Sequence, residues 1–105
     1  MNKLLPRPLR EFIKKYPDIW DAYENLGNKC HEAGPLDDRT RRLVKLGIAI
    51  GARLEGAVHS HTKRAREGGI SEDEILHVAL LAITTIEFPS TIAATTWIKD
   101  VLKKK

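Results

Sequence analysis

The residues with the most chemistry in this chain sit close together, in the stretch LEGAVHSHTKRAREGG over positions 54–69. Glu55, His59 and His61 offer a carboxylate and two imidazoles, groups that exchange protons and ligate divalent cations. On a helix each residue turns by about 100°, so Glu55 and His59, four apart, share a face, while His59 and His61 point to nearly opposite sides. The two histidines therefore occupy separate environments. Glu55 and His59 supply two ligands at helical spacing, whereas a metal site needs three or four that converge. His31 or His77 would complete it only through a tertiary contact that spacing does not reveal. The expectation is a surface Glu–His pair, with no bound metal and no cofactor.

His61 falls seven after Leu54 and four after Ala57, on an apolar stripe. Histidines so placed are ordinarily core residues whose ring nitrogens find backbone or hydroxyl partners. The functional alternative is an acid, base or proton relay facing a pocket between helices. Cys30, the one cysteine, falls on the apolar stripe of an earlier helix, where a buried inert thiol is commoner than a nucleophile. A lone cysteine excludes an intramolecular disulfide and suits a reducing compartment.

The elements that must position these residues all read as helices, about five to six of them, because only the 3.6-residue period appears. Leu9, Phe12, Ile13 and Tyr16 share one face of a short first helix that Pro17 ends. A second begins at Asp18 and carries Ile19, Tyr23, Leu26 and Cys30 until Gly34-Pro35. Asp37 or Asp38 caps a third, whose stripe Leu43, Leu46, Ile50, Leu54 runs on through Ala57 and Val58 to His61 and Ala65. That helix spans 38–67 unless Gly51 kinks or divides it, and Gly68-Gly69 closes it. Ser71-Glu72-Asp73-Glu74 reads as a capping box for a helix that turns Ile75, Val78, Ala79, Ala82 and Ile86 inward. Phe88-Pro89-Ser90 breaks it before a last helix with Ile92, Trp97 and Val101.

A chain of 105 residues, 42% hydrophobic and 30% charged, fits one soluble domain over 1–105. The start MNKLLPRPLREF lacks the apolar stretch of a secretory leader, and no run is long enough to span a bilayer, so a cytoplasmic protein with no membrane partner is expected. The net charge of +4 includes a terminal Lys103-Lys104-Lys105, yet no helix-turn-helix, zinc-finger or stacking pattern accompanies it, and no nucleic-acid partner is expected. Between Leu80 and Ala94 nearly every residue is apolar, Thr or Ser. Two such helices exceed what a small interior can hide, and Gly47 and Gly51 would permit close helix approach, so a homo-oligomer is expected.

The order of residues from Gly34 to Trp97, above all His61, Ala65, Gly69 and the helix start at Ser71-Glu72-Asp73-Glu74-Ile75, resembles the carboxymuconolactone decarboxylase family, which includes the AhpD-like alkylhydroperoxidases. The resemblance implies an all-α bundle and assembly into trimers or hexamers. It also implies peroxidase activity of peroxiredoxin type, tied to peroxide or oxygen detoxification, or carboxy-lyase activity. In the AhpD-like branch a Cys-x-x-Cys precedes the histidine and a glutamate precedes both; the matching positions here are Leu54, Ala57 and Arg42, and only His61 is kept. Thiol peroxidase chemistry needs an attacking and a resolving thiol, and Cys30 alone would require a second from elsewhere. The decarboxylase branch does without the pair. By that analogy His61 is the proton donor, with Glu55 and His59 as further candidates, and Arg42 and Arg53 hold substrate carboxylates. The competing reading is a non-catalytic assembly or binding protein.

Overall fold

The computed structural model describes residues 5–103, which form six helices and, among the described residues, no strand. The first residues of the segment weighed as a leader, and Lys104 and Lys105 of the basic tail, lie outside the described residues. The chain divides into two compact units, residues 1–35 and 36–105.

The first unit is a helical hairpin of α1 (Arg7–Lys15) and α2 (Pro17–Glu32). Pro17 ends α1 as expected and also opens α2, because the first position of a helix needs no N–H donor. Phe12 stacks at a tilt on Tyr16, with ring centroids 5.3 Å apart, and Trp20 on Tyr23 at 5.7 Å. Neither helix buries a residue. The stripe of Ile19, Tyr23 and Leu26 is exposed, and Cys30 is an exposed free thiol rather than the buried one expected. The physical reason is that a two-helix unit has no further layer of its own to close over an apolar face.

The second unit contains α3 (Asp38–Ala52), α4 (Glu55–Glu67), α5 (Glu72–Ala82) and α6 (Phe88–Lys103). Asp37 caps α3, its carboxylate accepting from the Thr40 amide at 2.8 Å. The single helix expected over 38–67 is two. The break falls at Arg53, not Gly51: Arg53 adopts the left-handed conformation at φ 60° and ψ 39°, and Leu54 is extended. Leu54 consequently leaves the inward stripe and is exposed.

The core gathers Leu46, Ala49 and Ile50 from α3, Val58 and Ala65 from α4, Ile70 from the turn, Ile75 and Ala79 from α5, and Ala94 and Ile98 from α6. One inward expectation fails, since Ile86 lies past the end of α5 and is exposed; Ile92 sits on the outer face of α6. The buried row of α6 is instead Thr91, Ala94 and Ile98; Thr91 tolerates burial because its hydroxyl donates to the Glu87 carbonyl at 2.8 Å. Phe88-Pro89-Ser90 starts α6, since the Glu87 carboxylate accepts from the Ser90 amide at 3.2 Å and its hydroxyl at 2.9 Å. A Cβ on Gly47 would meet Val78 at an ordinary 3.6 Å, and one on Gly51 would meet nothing, so neither glycine is needed for helix approach within the chain. Among the described residues no helix is long and apolar enough to cross a membrane.

The capping box at the start of α5 is fully formed, with the Ser71 hydroxyl accepting from the Glu74 amide at 3.1 Å and the Glu74 carboxylate accepting from the Ser71 amide at 3.0 Å. The free oxygen of Glu74 pairs with Arg39 of α3, so the cap also joins two helices. Ser71→Ala should lower unfolding free energy by about 1 kcal/mol, seen in urea as a reduced midpoint at unchanged slope. An unchanged midpoint would show that the cap contributes nothing.

Candidate functional site

The functional residues are sorted by the rotation of α4. Its buried residues, Val58, Thr62 and Ala65, follow i, i+4, i+7 and turn toward the core. From that row His59 lies about 100° to one side and His61 about 60° to the other. The structure thus keeps the histidines apart, as their spacing implies, and gives each its own surroundings.

His61 is half-buried. Burial holds its imidazole below the ordinary value near 6.5, and the cations Arg64, one turn further on, and Lys45 of α3 lower it further. It is therefore neutral at neutral pH, in a positive local field that favours anions.

His59 faces α6. Its Nε2 lies 3.9 Å from a Glu55 oxygen and 3.5 Å from an Asp100 oxygen, and this nitrogen is itself buried with no hydrogen-bond partner. Asp100 comes from a distant part of the chain, so no spacing rule links it to Glu55 and His59. Its own helix gives no signal either, since Asp100 stands about 200° round α6 from the buried Ile98. Neither His31 nor His77 belongs to this group.

Arg42 stands where the resemblance places a functional glutamate, and its guanidinium is engaged. Nε donates to Asp38 at 2.8 Å and Nη1 to the Arg64 carbonyl at 2.9 Å, near the end of α4. A Cβ on Gly68 would come within 2.9 Å of the Arg42 side chain. Arg53 reaches Glu87 at 3.3 Å in an exposed pair. The Glu87 carboxyl is held low mainly by the Ser90 side chain and amide, and less by Arg53. Leu54 and Ala57, at the positions of the missing thiols, carry no reactive group, and Cys30 belongs to the other unit. An open groove of about 600 Å³ between α5 and α6 is lined by His77, Leu80, Thr95 and Lys99 among others, and not by His61.

The model of the carboxymuconolactone decarboxylase family matches residues 17–100. The chain is 36% identical over 55 residues to an uncharacterized protein of Haemophilus influenzae, a match that covers 52% of this chain and spans about half (49%) of that relative. Two uncharacterized proteins of Methanocaldococcus jannaschii are also similar. One is 31% identical over 73% of this chain and 75% of its own length, the other 29% identical over 96% and 95%. The fold resembles the crystal structure of an apo carboxymuconolactone decarboxylase family protein from Legionella pneumophila, with a TM-score of 0.78 at 20% identity, covering 91% of this chain and 86% of that one.

Two outcomes follow from this geometry. Because the folded imidazole of His61 is lowered, its stabilising contribution is complete above the unfolded value and is lost as pH falls from there through the folded value. Between about pH 7 and pH 5 the wild type should lose more stability than His61→Gln, and the His61 ring protons should titrate below 6.5. Titration at or above that value would refute the burial-and-cation account. Separately, Gly68→Ala should destabilise by displacing Arg42, and in an Arg42→Ala background the same change should cost little. Equal costs in both backgrounds would show that the two residues act independently.

Proposed function

Since the chain belongs to the carboxymuconolactone decarboxylase family, we propose that it acts on a small carboxylate by proton transfer at His61, without the thiol chemistry of the AhpD-like branch. The supporting observation is the setting of His61: half-buried, neutral when free, and flanked by Lys45 and Arg64. An arriving carboxylate offsets the positive field and raises the affinity of the imidazole for a proton, so substrate binding and proton uptake are coupled. In a lactone acid, loss of carbon dioxide leaves the bonding electron pair on carbon as an enolate. His61, charged on substrate binding, delivers its proton to that carbon, returns to the neutral form and is recharged from water. Arg53, held by one exposed pair with Glu87 where Arg42 is held by two bonds, is the freer of the two arginines to take a second carboxylate. His59 and Glu55 lie on the other flank of α4 and have no part in this step.

We further infer that the protein self-associates, because Ile48, Leu80, Leu81, Phe88 and Ile92 are all exposed in the single chain. A peroxide-reducing role, the competing reading from the family, would rest on the exposed thiol of Cys30 with an external resolving thiol.

The test is carbon dioxide release from a panel of lactone acids, with oligomer size followed by light scattering. His61→Ala should lower turnover by about a hundredfold or more at unchanged size, and a saturating lactone acid should raise the pH at which His61 titrates. Undiminished turnover in His61→Ala would overturn the assignment. Hydroperoxide reduction with an added dithiol that disappears in Cys30→Ser would establish the thiol reading in its place, and an intact oligomer inactive in both assays would leave an assembly role.

A further inference from the structure

Glu55, His59 and Asp100 form a cluster that the chemistry at His61 does not use. Their ligand atoms, one imidazole nitrogen and two carboxylate oxygens, all lie within 4.8 Å of one another. The separations from His59 Nε2, 3.9 Å to Glu55 and 3.5 Å to Asp100, are too long for hydrogen bonds. They match a different arrangement. Donors each about 2.1 Å from a shared ion stand about 3 to 4 Å apart, depending on the angle between them.

Two further observations point to a ligand. His59 Nε2 is buried and has no hydrogen-bond partner, although a polar atom out of water ordinarily has one. Among the described residues, neither Glu55 nor Asp100 pairs with a lysine or arginine, so the two carboxylates converge on His59 without either of those partners. With the imidazole in the neutral form that metal ligation requires, the two carboxylates give the donor set a formal charge of −2, which a divalent ion neutralises.

We propose that Glu55, His59 and Asp100 bind one divalent transition-metal ion, joining the first turn of α4 to the last turns of α6. The mixed nitrogen and oxygen donors suit Mn²⁺, Co²⁺ or Zn²⁺ better than Ca²⁺, which takes oxygen ligands alone. Glu55 and Asp100 are partly open to solvent, so water fills the remaining coordination positions. The site stands independently of the proposed activity, on the opposite flank of α4 from His61.

The test uses tag-free full-length protein stripped with a chelator and titrated calorimetrically with Co²⁺, with the visible spectrum recorded alongside. One Co²⁺ per chain should bind, raising the thermal midpoint and giving a nitrogen- and oxygen-ligated spectrum without a thiolate charge-transfer band. His59→Gln and Asp100→Asn should each weaken binding by more than about tenfold, since even supporting residues around a metal are worth that much. Glu55→Gln, at the other ligand, provides a third variant should one of these fail to fold, and Cys30→Ser should leave binding unchanged. Binding that is absent, that survives His59→Gln, or that disappears in Cys30→Ser would overturn the proposal, the last by moving the ion to the exposed thiol.

Discussion

The rotation of α4 about its own axis is the constraint that places both of its histidines. Val58, Thr62 and Ala65 are each fully buried, and a helix with three such residues in one row cannot turn without exposing them. Removing about 25 cal/mol of stabilisation for each Å² of apolar surface returned to water makes even a modest rotation costly. With the row fixed, His59 has to face α6 and His61 has to stand on the other flank.

What allows α4 that rotation is the turn before it. An uninterrupted helix over 38–67 would carry the phase of Leu46 and Ile50 straight through, bringing Leu54, Ala57 and His61 inward together. The left-handed residue Arg53 and extended Leu54 reset the phase, and the inward row becomes 58, 62, 65. A left-handed arginine is less favourable than a glycine would be. Backbone bonds compensate in part, for the Arg53 amide donates to the Ile50 carbonyl at 3.0 Å and the Leu54 amide to Ala49 at 3.3 Å. The other end of α4 is held by Arg42, whose bond to the Arg64 carbonyl places a cation where the helix dipole is negative.

This explains which features were legible in the sequence. Local signals were readable: the cap at Asp37, the box at Ser71 and Glu74, and the stop at Gly68-Gly69 each depend on residues within one turn. The all-helical class followed from periodicity. Gly51 misled because glycine is the ordinary mark of a helix break, whereas the break uses an arginine that no propensity singles out. Ile86 misled because apolar character was taken for burial, and the inward places of α6 go to Thr91, Ala94 and Ile98. Cys30 misled for the same reason: a stripe shows that a face is apolar without showing what covers it. Asp100 was beyond reach, because its meeting with His59 is made only when α6 packs on α4.

The two histidines show how much environment outweighs residue type. They are two positions apart on one helix, yet Lys45 and Arg64 surround His61 with positive charge while Glu55 and Asp100 bring negative charge to His59. Burial first, and then these cations, keep the free His61 imidazole neutral in a setting that favours an anion, whereas the second setting favours a cation. At a distance of several ångströms such charges act strongly only where solvent is partly excluded, which both flanks achieve by lying at the edge of the buried row. A fold that has no thiol at Leu54 or Ala57 therefore retains two chemically distinct places on α4, separated by the apolar seam that holds the helix in position.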